Sequence, residues 1–346
     1  MQYSLTFPTG TVRYIFQAGF GELKDYMDFD NYVMLVDSRI VELNNGLVSK
    51  HPHIIIHAHE SRKTWAQVSD ICEQLLQLKA DRNTTLIGIG GGITTDITGF
   101  VASIYMRGVP FGFIPTTLLA MCDAAIGGKN GINHQLQKNL IGTVQQPAFI
   151  FYDTIFLNTL PPEQWSNGFA EIIKYACLFD RALFDELEQN DITHYRNHPE
   201  TLQLLIERCV DWKNNVVMSD EKESGRRKLL NFGHTAGHAI ETLHQVPHGY
   251  AVAAGMMIAA KISEHETNLD PQVTERLKKL LQRYGLPVSL DIDTGKVMEV
   301  LNMDKKRNST GIDYILLNNI GEAAIKHLPF PTITQALETY AHAGSH

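Results

Sequence analysis

No stretch of this chain reads as a membrane span. The longest apolar run, Ala251 to Ala260, is interrupted by Gly255 and is too short to cross a bilayer. The first residues, Met1-Gln2-Tyr3-Ser4-Leu5-Thr6-Phe7-Pro8, lack a basic stretch followed by an apolar one and do not read as a signal peptide. Cysteine is scarce. Cys72, Cys122, Cys177 and Cys209 lie far apart with no CxxC pair, which argues against a disulfide framework and for a reducing compartment. Positive charge is also short, 30 Lys and Arg against 38 Asp and Glu, for a net charge of -8. That excludes unspecific binding along a phosphate backbone, so no nucleic acid is expected as a partner. Any anionic substrate must be held by local basic residues against the global field. There are no internal repeats and no low-complexity tract. The expected setting is the cytoplasm, with no membrane contact.

What is present is the composition of a soluble globular protein rather than a disordered one. Hydrophobic residues make up 44% and charged residues 20% of 346, enough chain for two domains. Strand-like runs alternate with helical patterns early on. Tyr32–Val36, His53–Ile56, Thr85–Ile89 and Phe111–Pro115 read as buried strands, and Thr64–Leu78 has helical spacing of Trp65, Val68, Ile71 and Leu75. Such alternation predicts a parallel sheet covered on both faces. From Pro161-Pro162-Glu163, a helix start, the pattern becomes almost entirely helical: 165–179, 182–189, 199–217, 234–243, 251–266 and 271–284, with a small strand near 312–317. The boundary falls near residue 158, giving an α/β domain over 1–158 and a mostly helical domain over 159–346.

Ile87-Gly88-Ile89-Gly90-Gly91-Gly92 follows a strand and opens a helix. Glycines there let the backbone approach a pyrophosphate, and the helix amides face the anion. Asp37, ending an earlier strand, suits the diol of a ribose. A tight structural turn explains the same glycines equally simply. A second segment, Pro115-Thr116-Thr117, continues to Gly127-Gly128-Lys129, with Lys138-Asn139 close behind. It reads either as a capped helix and a glycine loop or as an anion pocket.

His234 and His238 lie four apart, on one helix face, and His248 follows. Clustered imidazoles with a carboxylate from elsewhere can hold a divalent metal. The spacing leaves the metal pair and a metal-free pair of helix histidines both open. Glu171 and Lys174 are spaced i,i+3, as in a solvated ion pair. Lys213 and Arg227, the latter seven residues before His234, suggest an anionic substrate near these histidines, or ordinary surface charge.

GGGITTDITGF (90–100), YMRG (105–108), PTTLLAMCDAAIGGKNGIN (115–133), KNLIG (138–142), AEIIKY (170–175), LLNFGHTAGHAIE (229–241) and HGYAVAAGM (248–256) in this order resemble the 3-dehydroquinate synthases of the sugar-phosphate cyclase superfamily. The resemblance covers most of residues 85–260 and is looser at both ends. It implies a Rossmann-like NAD-binding domain, a helical metal-binding domain with the active site in the cleft between, and a homodimer. It implies metal ligands Glu171, His234 and His248, with His238 given to the substrate. Lys129, Asn139, Lys174, Lys213, Arg227 and Asn231 match substrate-binding positions, and Asp123 matches one near both cofactor and substrate. Arg107 matches a position that reaches the phosphate site of a partner subunit. NAD positions match Asp37, Glu60, Lys63, Gly91, Gly92, Asp96, Thr116, Thr117, Lys138 and Thr159. One of Lys305 and Lys306 matches a further phosphate contact. The chain departs from the family at Thr95, where glycine is usual, at Ala124-Ala125 in place of two serines, and at Tyr250 in place of a glutamate.

The reaction implied converts 3-deoxy-D-arabino-heptulosonate 7-phosphate to 3-dehydroquinate and phosphate. The C5 hydroxyl is oxidised at the expense of NAD, phosphate leaves by β-elimination, the ketone is reduced again, and an intramolecular aldol closes the ring. NAD is therefore regenerated. The divalent metal acts as a Lewis acid, and zinc, cobalt and iron all accept this ligand set. The competing readings are another cyclase, of the valiolone or deoxy-inosose type, and a metal-dependent polyol dehydrogenase.

Overall fold

A computed structural model describes residues 1–27, 30–135, 137–303 and 311–343. Lys305 and Lys306 lie outside the described residues. The chain divides into two compact units, one comprising Met1–Pro161 and Ile206–Lys222, the other Pro162–Leu205 and Glu223–His346.

The first unit is built on a seven-stranded sheet. Its elements are β1 (Gln2–Phe7), β2 (Gly10–Ile15), β3 (Tyr32–Asp37), α1 (Ser38–Val48), β4 (His53–Ile56), α2 (Trp65–Gln77), β5 (Thr85–Gly90), α3 (Gly92–Ile104), β6 (Phe111–Pro115), β7 (Lys129–His134), β8 (Gln137–Val144) and β9 (Phe149–Phe151). Sheet order is β1-β2-β9-β6-β5-β3-β4. Every neighbouring pair is parallel except the β1–β2 hairpin at the edge. All six residues of β5 are buried, as a central parallel strand requires. Met34, Val36, Ile87, Ile89, Ile114, Phe149 and Phe151 form one core with Phe20 and Phe156. β7 and β8 form a separate antiparallel ribbon, and β7 packs on α3. These strands were not visible in the hydrophobic pattern because they carry Lys129, Asn130, Asn133, Lys138 and Asn139, and most of β8 is exposed.

The second unit contains α4 (Pro162–Phe179), α5 (Arg181–Gln189), α6 (Ile192–Asn197), the first part of α7 (Pro199–Ser219), α8 (His234–His244), α9 (His248–Glu266), α10 (Pro271–Arg283), α11 (Thr294–Met303), the hairpin β10 (Gly311–Asn319) and β11 (Glu322–Pro329), and α12 (Phe330–Ala343). Residues Ile206–Lys222, including the rest of α7, belong to the first unit. α9 is the axis of the second unit: Ala251 to Ala260 is buried on every side, among α4, α8, α10, α12 and β10. α8 lies unusually close to it. A Cβ on Gly255 would come within 1.8 Å of the Gly233 carbonyl oxygen, and one on Gly237 within 2.9 Å of the Ala251 carbonyl oxygen. Gly233 itself has φ of 77°, in the left-handed region that glycine adopts freely. Glycines at these positions let the two backbones touch, and the histidines next to them are held accordingly.

Candidate active site

Three elements of the second unit bring one ligand each to a point. α4 carries Glu171, fully buried. His234 is the first residue of α8, and His248 the first residue of α9. His234 Nε2 lies 3.4 Å and His248 Nε2 lies 3.2 Å from the same oxygen, Glu171 Oε1. The three ligand atoms all fall within 4.8 Å of one another. The other nitrogen of each ring already has a partner: His234 Nδ1 is 3.1 Å from the Phe232 carbonyl oxygen, and His248 Nδ1 is 3.4 Å from Glu241 Oε2. Two imidazole nitrogens and one carboxylate oxygen form the donor set of a divalent ion with open positions. The residues present fit the group.

Lys174 pairs with Glu171 Oε2 on the same helix. The i,i+3 spacing suggested a solvated pair, but both side chains are buried. Burial alone would raise the Glu171 carboxyl; the Lys174 ammonium and the two imidazoles override it and hold it well below the ordinary carboxylate range. Burial, with Lys174 nearby, lowers His234, which keeps that ring neutral.

His238 follows one turn after His234, as its spacing predicts. Its ring centroid is 5.1 Å from that of His234 and 6.3 Å from that of His248, but His238 is exposed and His234, not His238, faces Glu171. Arg227 is buried, and Asn231 donates to Glu223 Oε1; both lie in the 3-10 segment Arg226–Asn231 that leads to α8.

In the first unit, the glycine turn joins β5 to α3, whose first-turn amides lack partners within the helix. A Cβ on Gly91 would lie 3.1 Å from Thr117 Cγ2, so this turn and Thr116-Thr117 after β6 are neighbours. Thr95 does not crowd the turn, because its hydroxyl folds back to donate to the Gly92 carbonyl. Asp37 closes β3 and accepts from the Arg39 amide; burial raises its carboxyl. Lys63 is buried and its ammonium contacts both Asp96 and Asn139. Asn133 extends this network. Its amide donates to Glu60 Oε1 at 2.7 Å, and its carbonyl accepts from the Asn139 backbone N–H at 2.8 Å. Four residues matched to cofactor or substrate, Glu60, Lys63, Asp96 and Asn139, are thus tied together, with Asn133 as a link the sequence reading passed over. Lys213 Nζ lies 2.8 Å from Asp123 Oδ1 and donates to the Asp123 carbonyl at 2.7 Å. Arg107, Lys129, Lys138 and Thr159 are exposed, Arg107 with a φ of 70°.

A parallel α/β unit with a glycine turn at a helix start, in one chain with a helical unit carrying a buried group of two histidines and a glutamate, is the architecture of the sugar-phosphate cyclases. Residues 53–167 match the family model "3-dehydroquinate synthase N-terminal", and residues 168–307 match "3-dehydroquinate synthase C-terminal". The chain belongs to the 3-dehydroquinate synthase family, NAD- and divalent-metal-dependent cyclases that eliminate phosphate. It is 39% identical over 315 residues to a 3-dehydroquinate synthase of Pseudoalteromonas atlantica, covering 88% of this chain and 89% of that protein. Among solved structures, a 2-deoxy-scyllo-inosose synthase complexed with carbaglucose-6-phosphate, NAD+ and Co2+ superposes with a TM-score of 0.88 at 26% identity, over 98% of this chain and 100% of the other. A 2-epi-5-epi-valiolone synthase from Streptomyces hygroscopicus with NAD+ and Zn2+ bound gives the same score and identity over 99% and 98%. The parallel-sheet and helical-domain fold expected from the sequence is the fold observed.

Proposed function

We propose that this chain converts 3-deoxy-D-arabino-heptulosonate 7-phosphate to 3-dehydroquinate and phosphate. The observation that carries the reading is the convergence of His234, His248 and Glu171 on one point beside the buried Lys174 ammonium. When bound, NAD supplies a reversible hydride acceptor and the divalent ion, zinc or cobalt, supplies Lewis acidity. NAD is held at the glycine turn by Gly91, Gly92, Thr116 and Thr117, with Asp37, Glu60, Lys63, Asp96, Lys138 and Thr159 around it. Glu171, His234 and His248 hold the metal.

The remaining residues bind and orient. Lys129 and Asn139 take the phosphate. Arg227 and Lys213 take the carboxylate, where a planar guanidinium matches two oxygens at once. Asn231 and His238 orient hydroxyl groups, Lys174 moves protons, and Asp123 positions Lys213. Arg107 serves the phosphate of a second copy in a homodimer, and the enzyme works in the cytoplasm.

The test supplies the heptulosonate phosphate, NAD and Zn²⁺ or Co²⁺ and follows phosphate, dehydroquinate and NADH together. Phosphate and dehydroquinate in equal amounts, with no accumulating NADH, support the reading. Sustained NADH formation from a simple polyol would replace it with a dehydrogenase. Arg227→Ala lowers turnover strongly and leaves NAD binding intact. Metal content falls in His234→Ala and largely survives in His238→Ala; equal losses would undo the division of roles.

A further inference from the structure

A histidine binds a metal through one nitrogen, and what the other nitrogen meets decides which one is free. In His234, Nδ1 lies 3.1 Å from the Phe232 carbonyl oxygen; in His248, Nδ1 lies 3.4 Å from Glu241 Oε2. A carbonyl and a carboxylate only accept, so in both rings Nδ1 carries a hydrogen, and Nε2 is the nitrogen that would turn its lone pair to a bound ion. Those Nε2 atoms are the ones 3.4 and 3.2 Å from Glu171 Oε1. The two rings are thus set the same way by unlike partners. His234 is set by the backbone two residues before it. His248 relies on a side chain from α8, whose carboxylate is only 13% exposed.

We infer that Glu241 is a positioning residue of the metal centre: its carboxylate accepts from His248 Nδ1, fixing the ring plane and the nitrogen that His248 presents. It touches neither the ion nor the substrate. Glu241 also falls in a second cluster, with His238 and His248, whose ligand atoms lie within 4.8 Å of one another. That cluster could serve a second ion only if His248 gave up both ring hydrogens while already bound through Nε2, so the carboxylate acts as a hydrogen-bond acceptor. The inference rests on the metal assignment proposed above.

The experiment uses the full-length protein stripped of metal and titrated with Co²⁺, reading stoichiometry, affinity by chelator competition, and the cobalt d–d absorption. Wild type binds one cobalt. Glu241→Ala weakens cobalt binding by about 10- to 100-fold and shifts the d–d bands. Glu241→Gln keeps an oxygen that accepts from Nδ1, so it loses less affinity, and its metal-free thermal midpoint stays at the wild-type value. A role in folding alone would lower that midpoint and leave the bands in place, which would overturn the inference. So would wild-type affinity and bands in Glu241→Ala, or two cobalt ions in wild type falling to one in that variant. His234→Ala separates the two levels. If it still binds cobalt as wild type does, the metal assignment itself is wrong. If it loses cobalt while Glu241→Ala does not, only the role of Glu241 falls.

Discussion

Replacing Gly255 by alanine adds one methyl group where the backbones of α8 and α9 touch. The new Cβ would sit 1.8 Å from the Gly233 carbonyl oxygen, 2.8 Å from its carbonyl carbon and 3.0 Å from the Gly237 nitrogen. All three are backbone atoms, so no side chain can swing aside. Ordinary contact begins at 3.4 Å, and the start of α8 must therefore retreat by about 1.6 Å. Overpacking of this kind costs on the order of 1–3 kcal/mol or more. Gly233 immediately precedes His234, so the same retreat displaces that imidazole relative to Glu171 on α4. Metal–ligand distances tolerate only about 0.2 Å. Gly255→Ala should lower the thermal midpoint of the metal-free protein by several degrees in scanning calorimetry and weaken cobalt binding by more than 100-fold. Glu171→Gln is the comparison that loses metal without added bulk. A Gly255→Ala protein with wild-type midpoint and wild-type cobalt affinity would refute the link between this helix contact and the ligand geometry.

Three further outcomes follow from other contacts. Lys174→Met leaves Glu171 buried without its ammonium, and breaking such a pair costs about 3–5 kcal/mol; urea unfolding of the metal-free variant should show it, and an unchanged midpoint would count against the pairing. Arg276 lies over the Phe184 ring and reaches Glu188 through two bonds and Asp185 through a third, so Arg276→Ala should cost about 1–2 kcal/mol by denaturant titration while turnover stays at wild type. Lys228 and His327 hold the Asp313 carboxyl below its ordinary value, so Asp313 contributes stability above roughly pH 4 that is lost as pH falls through the lowered value. Lys228→Ala should therefore be less stable than wild type at pH 7, by at most about 1 kcal/mol for an exposed pair, with the gap closing in strong acid; a gap independent of pH would dismiss the pair.

The strands made of continuous apolar residues were legible in the sequence. β3, β4, β5 and β6 appear as apolar runs, and α4 begins at Pro162 as the paired prolines suggest. β1 and β2 are amphipathic and β9 is only three residues long, so neither gave a hydrophobic signal. The β7–β8 ribbon was hidden because its residues are chosen for polar contacts, among them Asn139 at a φ of 51°. At the metal centre, the i,i+4 rule correctly put His234 and His238 on neighbouring turns. It could not choose between them, because the choice depends on Glu171, sixty-three residues earlier, and on a break between α8 and α9 that starts a new helix at His248. The motif resemblance offered that choice; the structure brings His234 and His248, not His238, to Glu171 Oε1. Glu241 went unread because a carboxylate three residues after a histidine looks like any solvated helix pair.

The buried Lys174–Glu171 pair has a consequence for how the protein is made. The carboxylate that would hold the ion is already paired within its own helix, so it is not an uncompensated buried charge before a metal arrives. Many small zinc domains fold only around their ion. Here an internal ammonium takes over that balancing role, and the newly synthesised chain can reach its final shape empty and wait. A chain that folds before its ion arrives would leave the choice of metal to the cellular supply rather than to the folding step.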